Sequence, residues 1–448
     1  MKEITLNEIL YAREQRVKKQ KDIINSFNCP IISFTMNIAG PCKVSPLIER
    51  AFFEGIKLLK EKLSSKSILY ENIEVKPTGC EAFFSVNENV KEIKKITSLI
   101  EESITLGRLF DMDVIDTNFT KLERKNPRSC LICKRKGKVC SAGRLHTAEE
   151  VFNKTKEIME NYFFDIDANT LSSLAVQSLI YEVHTTPKPG LVDLNNNGSH
   201  TDMNVKTFEK SALSLKPYFK ECFKTGKETA NLPYDDVFPL LKQSGITAEK
   251  NMYKITDNVN THKGAIFSLG LICAAFGRLW SADFPFRSAE DICREASNIA
   301  KNKVLQDFTK MNETTAGEKL YIKYGIKGIR GEVLSGFETV IKISLPCYKN
   351  LKSKNYSSND AGTITLLYII SNILDTNLYK RGGIKGAEYA KNITKELLKR
   401  SPQPKSQEIE LLDKAFIERN LSPGGAADLL ALTYFLYEIE LKNTIKPY

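Results

Sequence analysis

Residues 6–27 place Leu6, Ile9, Leu10, Arg13, Val17 and Ile24 near helical spacing, and the run ends at the Asn28-Cys29-Pro30 breaker. The period then shortens. PIISFTMNI, ILYENIEVKP, EAFFSVN and RLFDMDVID are brief runs rich in β-branched and aromatic residues, separated by helical stretches near residues 46–63 and 90–102. This half predicts an α+β domain with a small sheet of about four strands.

After Thr147 the texture changes. A charged helix, AEEVFNKTKEIMENYF, leads into long apolar-periodic stretches with hardly any strand-like alternation. Helices are expected over residues 168–184, 205–222, 263–280, 288–302, 331–344, 361–378 and 424–441, interrupted by loops containing Gly or Pro. The second half is therefore expected to be all-α, and no repeat of solenoid period is visible. At 448 residues the chain exceeds the usual size of a single core, so two domains are expected, 1–160 and 165–448. Their boundary falls near residues 150–167, where a helix can join them.

Composition narrows the class. With 42% apolar and 27% charged residues and no tract dominated by Gly/Ser, Pro or Gln, both domains are expected to be globular. The net charge of +11 is divided about evenly between residues 1–165 and the rest, without a basic tail. Such a mild, distributed field suits polyphosphate substrates or an acidic carrier protein as well as it suits nucleic acid. The opening MKEITLNEIL carries charge where a secretory signal would be apolar, and the most apolar segment, residues 265–276, is too short for a bilayer crossing of roughly 20 residues. A cytoplasmic protein that engages no membrane is expected, and its ten cysteines are read as thiols or ligands rather than disulfides.

Asp111-Met112-Asp113 lies in a strand-like run, where residues two apart face the same side and both carboxylates can reach one Mg²⁺. That arrangement serves nucleotidyl transfer, and Gly107-Arg108 just before it adds a flexible approach and a phosphate-binding cation. Two acids on a solvent-facing strand would have the same pattern. Cys130, Cys133, Cys140 and His146 have the spacing of a three-cysteine, one-histidine zinc site; the same loop, with Lys134, Arg135, Lys136 and Lys138, can instead hold phosphate or an acidic partner with free thiols. AREQRVKKQ, SFTMNIAGPCK, TGCEAFF, GRLFDMDV and RSCLICKRKGKVCSAGRLH together resemble holo-citrate lyase synthase, the apo-citrate lyase phosphoribosyl-dephospho-CoA transferase, over nearly all of residues 1–150. The resemblance implies a nucleotidyltransferase-like domain that transfers a phosphoribosyl-dephospho-CoA group to a serine of the acyl-carrier (gamma) subunit of citrate lyase, releasing pyrophosphate. Asp111 and Asp113 become metal-ligand candidates, and Arg13, Arg16, Lys43 and Arg108 phosphate-contact candidates.

The second half concentrates polar chemistry where packing does not require it. Residues 182–193, EVHTTPKPGLVD, end one helix in a loop stiffened by two prolines that carries Lys188 and Asp193, and NGSHTDM adds His200 and Asp202. Asn260-Thr261-His262-Lys263-Gly264 opens an apolar helix whose N-terminal N–H groups favour phosphate, with Lys263 adding charge. Thr314-Thr315-Ala316-Gly317-Glu318, then Tyr321, Tyr324 and Arg330, supply hydroxyls, a carboxylate, aromatic faces and a cation suited to a purine. Asp428 is a lone acid in the first turns of another apolar helix.

With ETTAGEKLYIKYGIKGIRGE, DTNLYKRGG and SPGGAADLLA, these phrases resemble triphosphoribosyl-dephospho-CoA synthase over roughly residues 165–440. The resemblance implies that ATP loses adenine as its ribose C1 joins the ribose 2′-hydroxyl of 3′-dephospho-CoA, making the nucleotide the first domain consumes. Glycosyl transfer of this kind needs a carboxylate on the incoming hydroxyl, a proton for the departing base and cations for the triphosphate. Asp193, Asp202 and Asp428 are thus Mg²⁺ ligand or base candidates, and Glu182 and Glu318 further acids. Lys188, Lys263 and Arg330 are phosphate-contact candidates, and His200 and His262 candidate donors to phosphate or adenine. The rival readings are a malonate-decarboxylase counterpart and a zinc-containing nucleic-acid-binding protein. The latter leaves the acidic motifs of the second half unexplained, so small-molecule nucleotides and the carrier subunit, not nucleic acid, are the expected partners.

Overall fold

Thr5 opens the first helix with a reciprocal cap, its hydroxyl accepting the Glu8 N–H while Glu8 Oε2 accepts the Thr5 N–H at 2.8 Å. Asn28 ends that helix in left-handed backbone, φ 47°. The computed structural model describes residues 3–65, 67–124, 127–285, 287–310 and 316–444. Its first unit contains α1 (Leu6–Phe27), β1 (Ile31–Met36), α2 (Pro46–Lys62), β2 (Ile68–Lys76), β3 (Gly79–Val86), α3 (Val90–Ser103), β4 (Phe110–Ile115) and the short α4 (Gly137–Ala142).

The strands form one sheet in the order β2-β3-β1-β4 with every neighbouring pair antiparallel. From β1 to β4 the chain runs β-α-β-β-α-β, the split, ferredoxin-like arrangement in which each helical crossover leaves room for one strand between. Alternation then sorts the faces. Phe34, Met112 and Phe110 face α2, where the Phe34 ring lies 5.0 Å from Phe52 and 5.3 Å from Phe110. On the other face, Ile23 and Ile24 of α1 cover Ile31, Phe83 and Ile115. β4 is an edge strand, and its outward Met112 N–H is taken by Glu101 Oε1 at 2.8 Å while the Leu122 N–H returns to Val114 O at 2.9 Å. The edge is thereby closed to other strands.

The second unit is helical. It begins at Asp167, inside α5 (Ala148–His184), while Ser281–Pro285 group with the first unit. Its further helices are α6 (Val205–Ser214), α7 (Lys216–Glu228), α8 (Tyr234–Ile255), α9 (Lys263–Leu279), α10 (Ala289–Thr309), α11 (Ala316–Tyr324), α12 (Gly328–Leu334), α13 (Leu345–Ser353), α14 (Ser358–Asn372), α15 (Thr376–Arg400), α16 (Ser406–Glu418) and α17 (Gly424–Thr444).

Several expected helices are cut differently. The 205–222 stretch breaks at Leu215, where Pro217 sits in the first turn of α7 with no N–H to continue the α6 ladder. The 331–344 stretch breaks at Gly336 (φ 73°) and Phe337 (φ 58°). The 361–378 stretch ends at Asn372, and α15 starts afresh behind the cap Asp375. The 168–184 stretch is the end of the 37-residue α5. Pro239 lies inside α8, a helix that composition conceals. Among the described residues no helix is long and apolar enough to cross a membrane.

Glycines let α7 and α9 approach closely. A Cβ on Gly226 would stand 2.0 Å from Ala274 O, and one on Gly277 would stand 2.0 Å from Phe223 O. No flexible side chain is available there to move aside. Gly277→Ala is therefore expected to destabilise the helical unit by about 1–3 kcal/mol, as overpacking does elsewhere. Calorimetric unfolding checks this; an unchanged transition would mean that the two helices separate there without cost.

Candidate active sites

In the first unit, Asp111 stands opposite Thr35 and Asp113 opposite Ser33, both across β1 on the α1 side of the sheet. Glu81, opposite Thr35 on β3, shares that face and is held by Arg16 of α1, Nε at 2.7 Å and Nη2 at 2.6 Å. Gln20, one helical turn on, donates to Ser33 Oγ at 2.9 Å. The face beneath α1 thus turns from apolar at Ile23 and Ile24 to charged toward Arg16 and Arg13. Burial and then the Asp111 charge raise the Asp113 carboxyl above its usual range, against the Lys121 ammonium at 2.5 Å. Lys43 donates to Ile38 O at 2.5 Å; burial and the Arg13 charge lower its pKa, so these two cations are neighbours.

Arg108 turns to the segment that follows β4, its Nη2 donating to Ser129 O at 2.6 Å and Ser129 Oγ at 3.2 Å. Next to Ser129 begins the cysteine group, in which one ligand atom each from Cys130, Cys133, Cys140 and His146 lies within 4.8 Å of the others. The Cys133 thiol is pulled down to about 6 by hydrogen bonding to His146 and to the Arg135 backbone, while Cys140 is pushed up to about 11 by its Cys133 neighbour.

In the helical unit, the end of α5, the loop after it and the starts of α9 and α17 converge. Lys188, 1% exposed, donates from Nζ to Glu182 Oε1 at 2.5 Å and to Glu182 O at 2.6 Å. Its own N–H goes to Asp193 Oδ2 at 2.9 Å. Asp193 Oδ1 accepts the Asn195 and Asn196 N–H groups, so this carboxylate holds the loop in shape. Asp428 reaches from α17 to the first turn of α9, where it accepts the Ala265 N–H and where a Cβ on Gly264 would stand 1.9 Å from its Oδ2. Burial, then the charges of Glu182 and Asp375, push the Asp428 carboxyl well above its usual range. The phosphate expected at the start of α9 therefore meets a carboxyl group of the protein's own already seated there.

His262 is buried beside this group. Its Nδ1 pairs with Ser211 Oγ at 2.7 Å, its Nε2 has no hydrogen-bond partner, and burial together with the Lys188 charge pushes it down to about 3. It is a neutral imidazole at any physiological pH. At the loop's far end His200 Nδ1 accepts from Arg381 Nη2 at 3.0 Å, which leaves Nε2 to donate to Ser422 Oγ at 2.9 Å. The Asp202 carboxylate lies 3.7 Å from His200 and is exposed.

The remaining candidates lie elsewhere. Lys263 is exposed and paired with Glu249. Arg330 lies in α12, 4.0 Å from Asp307, and Glu318 is in the first turn of α11. Thr314 and Thr315 fall outside the described residues.

Three groups escaped the sequence reading. Asp375 is fully buried and accepts N–H groups from Asn377 and Leu378 of α15 and from Ala426 of α17, fastening the two helix starts together. Asp413 accepts the Gly190 N–H at 2.8 Å and the Asn196 amide at 2.9 Å, fixing the catalytic-looking loop to α16. Arg381, within the quoted DTNLYKRGG, also donates to Ser199 O at 2.7 Å. Asp375 opens that same motif, so of the three only Asp413 had no signal in a quoted motif.

Comparison with known proteins gives both halves a relation. The family model for ATP:dephospho-CoA triphosphoribosyl transferase, CitG, matches residues 168–446, and that for apo-citrate lyase phosphoribosyl-dephospho-CoA transferase, CitX, matches residues 4–162. "Protein CitXG" of Haemophilus influenzae is 35% identical over 96% of both chains, and its namesake in Leuconostoc mesenteroides subsp. cremoris is 36% identical over 97% of both. The 2-(5″-triphosphoribosyl)-3′-dephosphocoenzyme-A synthase of Haemophilus ducreyi is 35% identical over 69% of this chain and 99% of its own. A crystal structure of a protein titled a triphosphoribosyl-dephospho-CoA synthase, from Archaeoglobus fulgidus, aligns with 51% of this chain and 97% of its own at 20% identity and a TM-score of 0.35. By the two family models and the two CitXG relatives, which together run along nearly its whole length, the chain belongs to the bifunctional transferases that fuse a CitX-type apo-citrate lyase transferase to a CitG-type triphosphoribosyl-dephospho-CoA synthase.

Proposed function

We propose that residues 165–448 join ATP to 3′-dephospho-CoA with loss of adenine, and that residues 1–160, a nucleotidyltransferase-like domain, pass the phosphoribosyl-dephospho-CoA part of the product to a serine of the citrate lyase acyl-carrier subunit. The observation that carries the synthase assignment is the buried group of Glu182, Lys188 and Asp428 at the start of α9. Two carboxyl groups in one place, one ion-paired and one driven toward its protonated form, are the pair that glycosyl transfer requires.

In that reading the C1–N9 bond of ATP breaks as C1 bonds to the 2′-oxygen of dephospho-CoA. Glu182, oriented by Lys188, accepts the proton of the 2′-hydroxyl. Asp428 gives the proton it retains to the departing adenine. Asp193 acts through the loop it shapes, and His262, neutral and with Nε2 unpaired, offers a hydrogen bond at the cluster. His200 and Arg381 line the rim on the triphosphate side.

In the transferase domain the carrier serine gives its hydroxyl proton to a carboxylate of the Asp111 and Asp113 pair as its oxygen bonds the phosphorus next to ribose, and pyrophosphate leaves with the electron pair of the broken P–O bond. Arg13 and Lys43, neighbouring cations, offer the polyphosphate positive charge, with Arg16 behind them on Glu81 and Arg108 held at Ser129.

Magnesium, when bound, would screen the polyphosphate charge. Asp111 and Asp113 fit it, because they share one face of β4 two residues apart; burial and then the Asp111 charge raise Asp113, and a cation would oppose both. In the synthase, exposed Asp202 would hold it. Asp193, the other carboxylate of the loop, has both oxygens engaged by N–H groups.

Mass spectrometry of apo acyl-carrier subunit, after incubation with the protein, ATP, Mg²⁺ and 3′-dephospho-CoA, tests the whole reading: an unmodified carrier sinks it. Asp111→Asn should cut carrier modification at least roughly a hundredfold while adenine release continues. Loss of both would contradict the division of labour.

Asp428→Asn should cut adenine release by roughly 10²–10⁴-fold, the usual worth of a positioned acid, without weakening the fold. The unfolded chain gives up this proton near pH 3.9, whereas the folded chain keeps it well above that. Stability present below about pH 4 is therefore lost as pH rises toward the folded value, and asparagine removes that loss. Melting curves at pH 5 and 7 should show the variant gaining on the parent at the higher pH. A variant that instead loses ground would show that the carboxylate is ionised and paired.

A further inference from the structure

We infer that Cys130, Cys133, Cys140 and His146 form a structural Zn²⁺ site whose closure holds Arg108 at the entry to the strand that carries Asp111 and Asp113. The ligand atoms lie within 4.8 Å of one another, with Cys133 and Cys140 Sγ 3.4 Å apart. Sulfurs sharing a tetrahedral zinc at about 2.3 Å would be roughly 3.8 Å apart, so Cys133 and Cys140 part slightly and the wider pairs draw in, each by about 1 Å or less. None of these cysteines forms a disulfide.

The local backbone is arranged for thiolates. The Cys130 N–H closes a tight turn onto Arg135 O at 2.6 Å, the Gly137 N–H bonds Arg128 O at 2.9 Å, and the Ile132 N–H points at Cys130 Sγ at 3.5 Å. N–H groups aimed at a ligand sulfur support its negative charge. His146 adds an independent sign, since its Nε2 is buried with no hydrogen-bond partner in the protein.

Hydrophobic packing does not explain the fold of this segment. Ile132, Val139 and Leu145 are 36%, 55% and 49% exposed, whereas Cys140 is buried and Cys130 and Cys133 are half-buried. A loop of this size without a core needs a cross-link. Three thiolates and a histidine around zinc carry a net negative charge, which Lys134, Arg135 and Lys136 are placed to balance. Zinc is favoured over iron because four closed N/S donors in one cluster make a tetrahedral structural site.

The link to the transferase site is direct. Ser129, next to the first ligand, accepts from Arg108, while Arg128 donates to Arg108 O at 3.3 Å and to Phe110 O and pairs with buried Glu101 at 2.9 Å. Residues 128 and 129 thus hold the side chain and carbonyl of Arg108 and the carbonyl of Phe110, where β4 starts. Opening the metal loop frees that hold.

Full-length protein purified under reducing conditions without chelator is expected to contain one zinc per chain by elemental analysis. Co²⁺ in its place should give thiolate charge-transfer bands and the intense ligand-field bands of a tetrahedral centre, and Cys133→Ser should lose both. Stripping zinc should speed proteolysis between Ser129 and His146 and lower carrier modification by roughly tenfold or more, with adenine release unchanged. Zinc plus Mg²⁺, but not Mg²⁺ alone, should restore it, which separates metal loss from misfolding of a variant. Protein without stoichiometric zinc and without cobalt bands, a Cys133–Cys140 disulfide, or bound iron would overturn the assignment. The effect on carrier modification rests on the transferase reading; metal content and cobalt spectra do not, so the two can fail separately.

Discussion

A lysine ammonium with 1% exposure cannot stay charged without a carboxylate, and the helical unit is organised around the one that Glu182 provides for Lys188. Glu182 lies near the end of α5 and Lys188 in the loop that follows, so their pairing forces the chain to turn back on its own helix end. Asp193 then fixes the return and Asp413 anchors it to α16. The consequences spread outward as electrostatics: the Lys188 charge helps keep His262 neutral, and the Glu182 charge helps hold a proton on Asp428. Removing either partner would leave a buried charge alone, a cost of about 3–5 kcal/mol that the loop has no means to offset.

The transferase unit solves a different problem. Its acids sit on an edge strand, where backbone groups and carboxylates are both exposed to misuse. Glu101, taken out of solvent beneath Arg124 and Arg128, accepts the Met112 N–H between the two aspartates. This closes the edge from the side while leaving Asp111 and Asp113 facing α1. The same two arginines tie the strand to the segment carrying the cysteines, so the sheet edge and the loop beyond it are one mechanical piece.

Much of this was legible in sequence because period and local chemistry are sequence properties. The α+β half and the helical half follow from a change of period, and the cysteine group from fixed covalent spacing. What periodicity misses are points where tertiary contact decides. Residues 361–378 stay apolar through Ile373, and only the Asp375 carboxylate, satisfying N–H groups of two helices at once, makes the break. Lys263 has the sequence position of a phosphate ligand at a helix start, yet its long side chain finds Glu249 across the turn. Asp193 and Asp428 look alike as isolated acids; one spends its oxygens on loop N–H groups and the other is driven toward protonation, a difference set wholly by neighbours distant in sequence.

The start of α9 shows how far such a distinction reaches. A helix N-terminus offers partial positive charge to any anion, and sequence alone suggests the substrate's phosphate. Here Asp428 occupies the first turn, and Gly264 is needed because any side chain carbon would overlap the carboxylate. The helix dipole therefore acts on a group of the protein, favouring the ionised form that burial, Glu182 and Asp375 oppose. These opposed influences leave a carboxyl pushed toward its protonated form yet with a place for the charge left behind once the proton is given away. An acid serving a departing purine must satisfy both conditions, and a phosphate at the same helix end would satisfy neither.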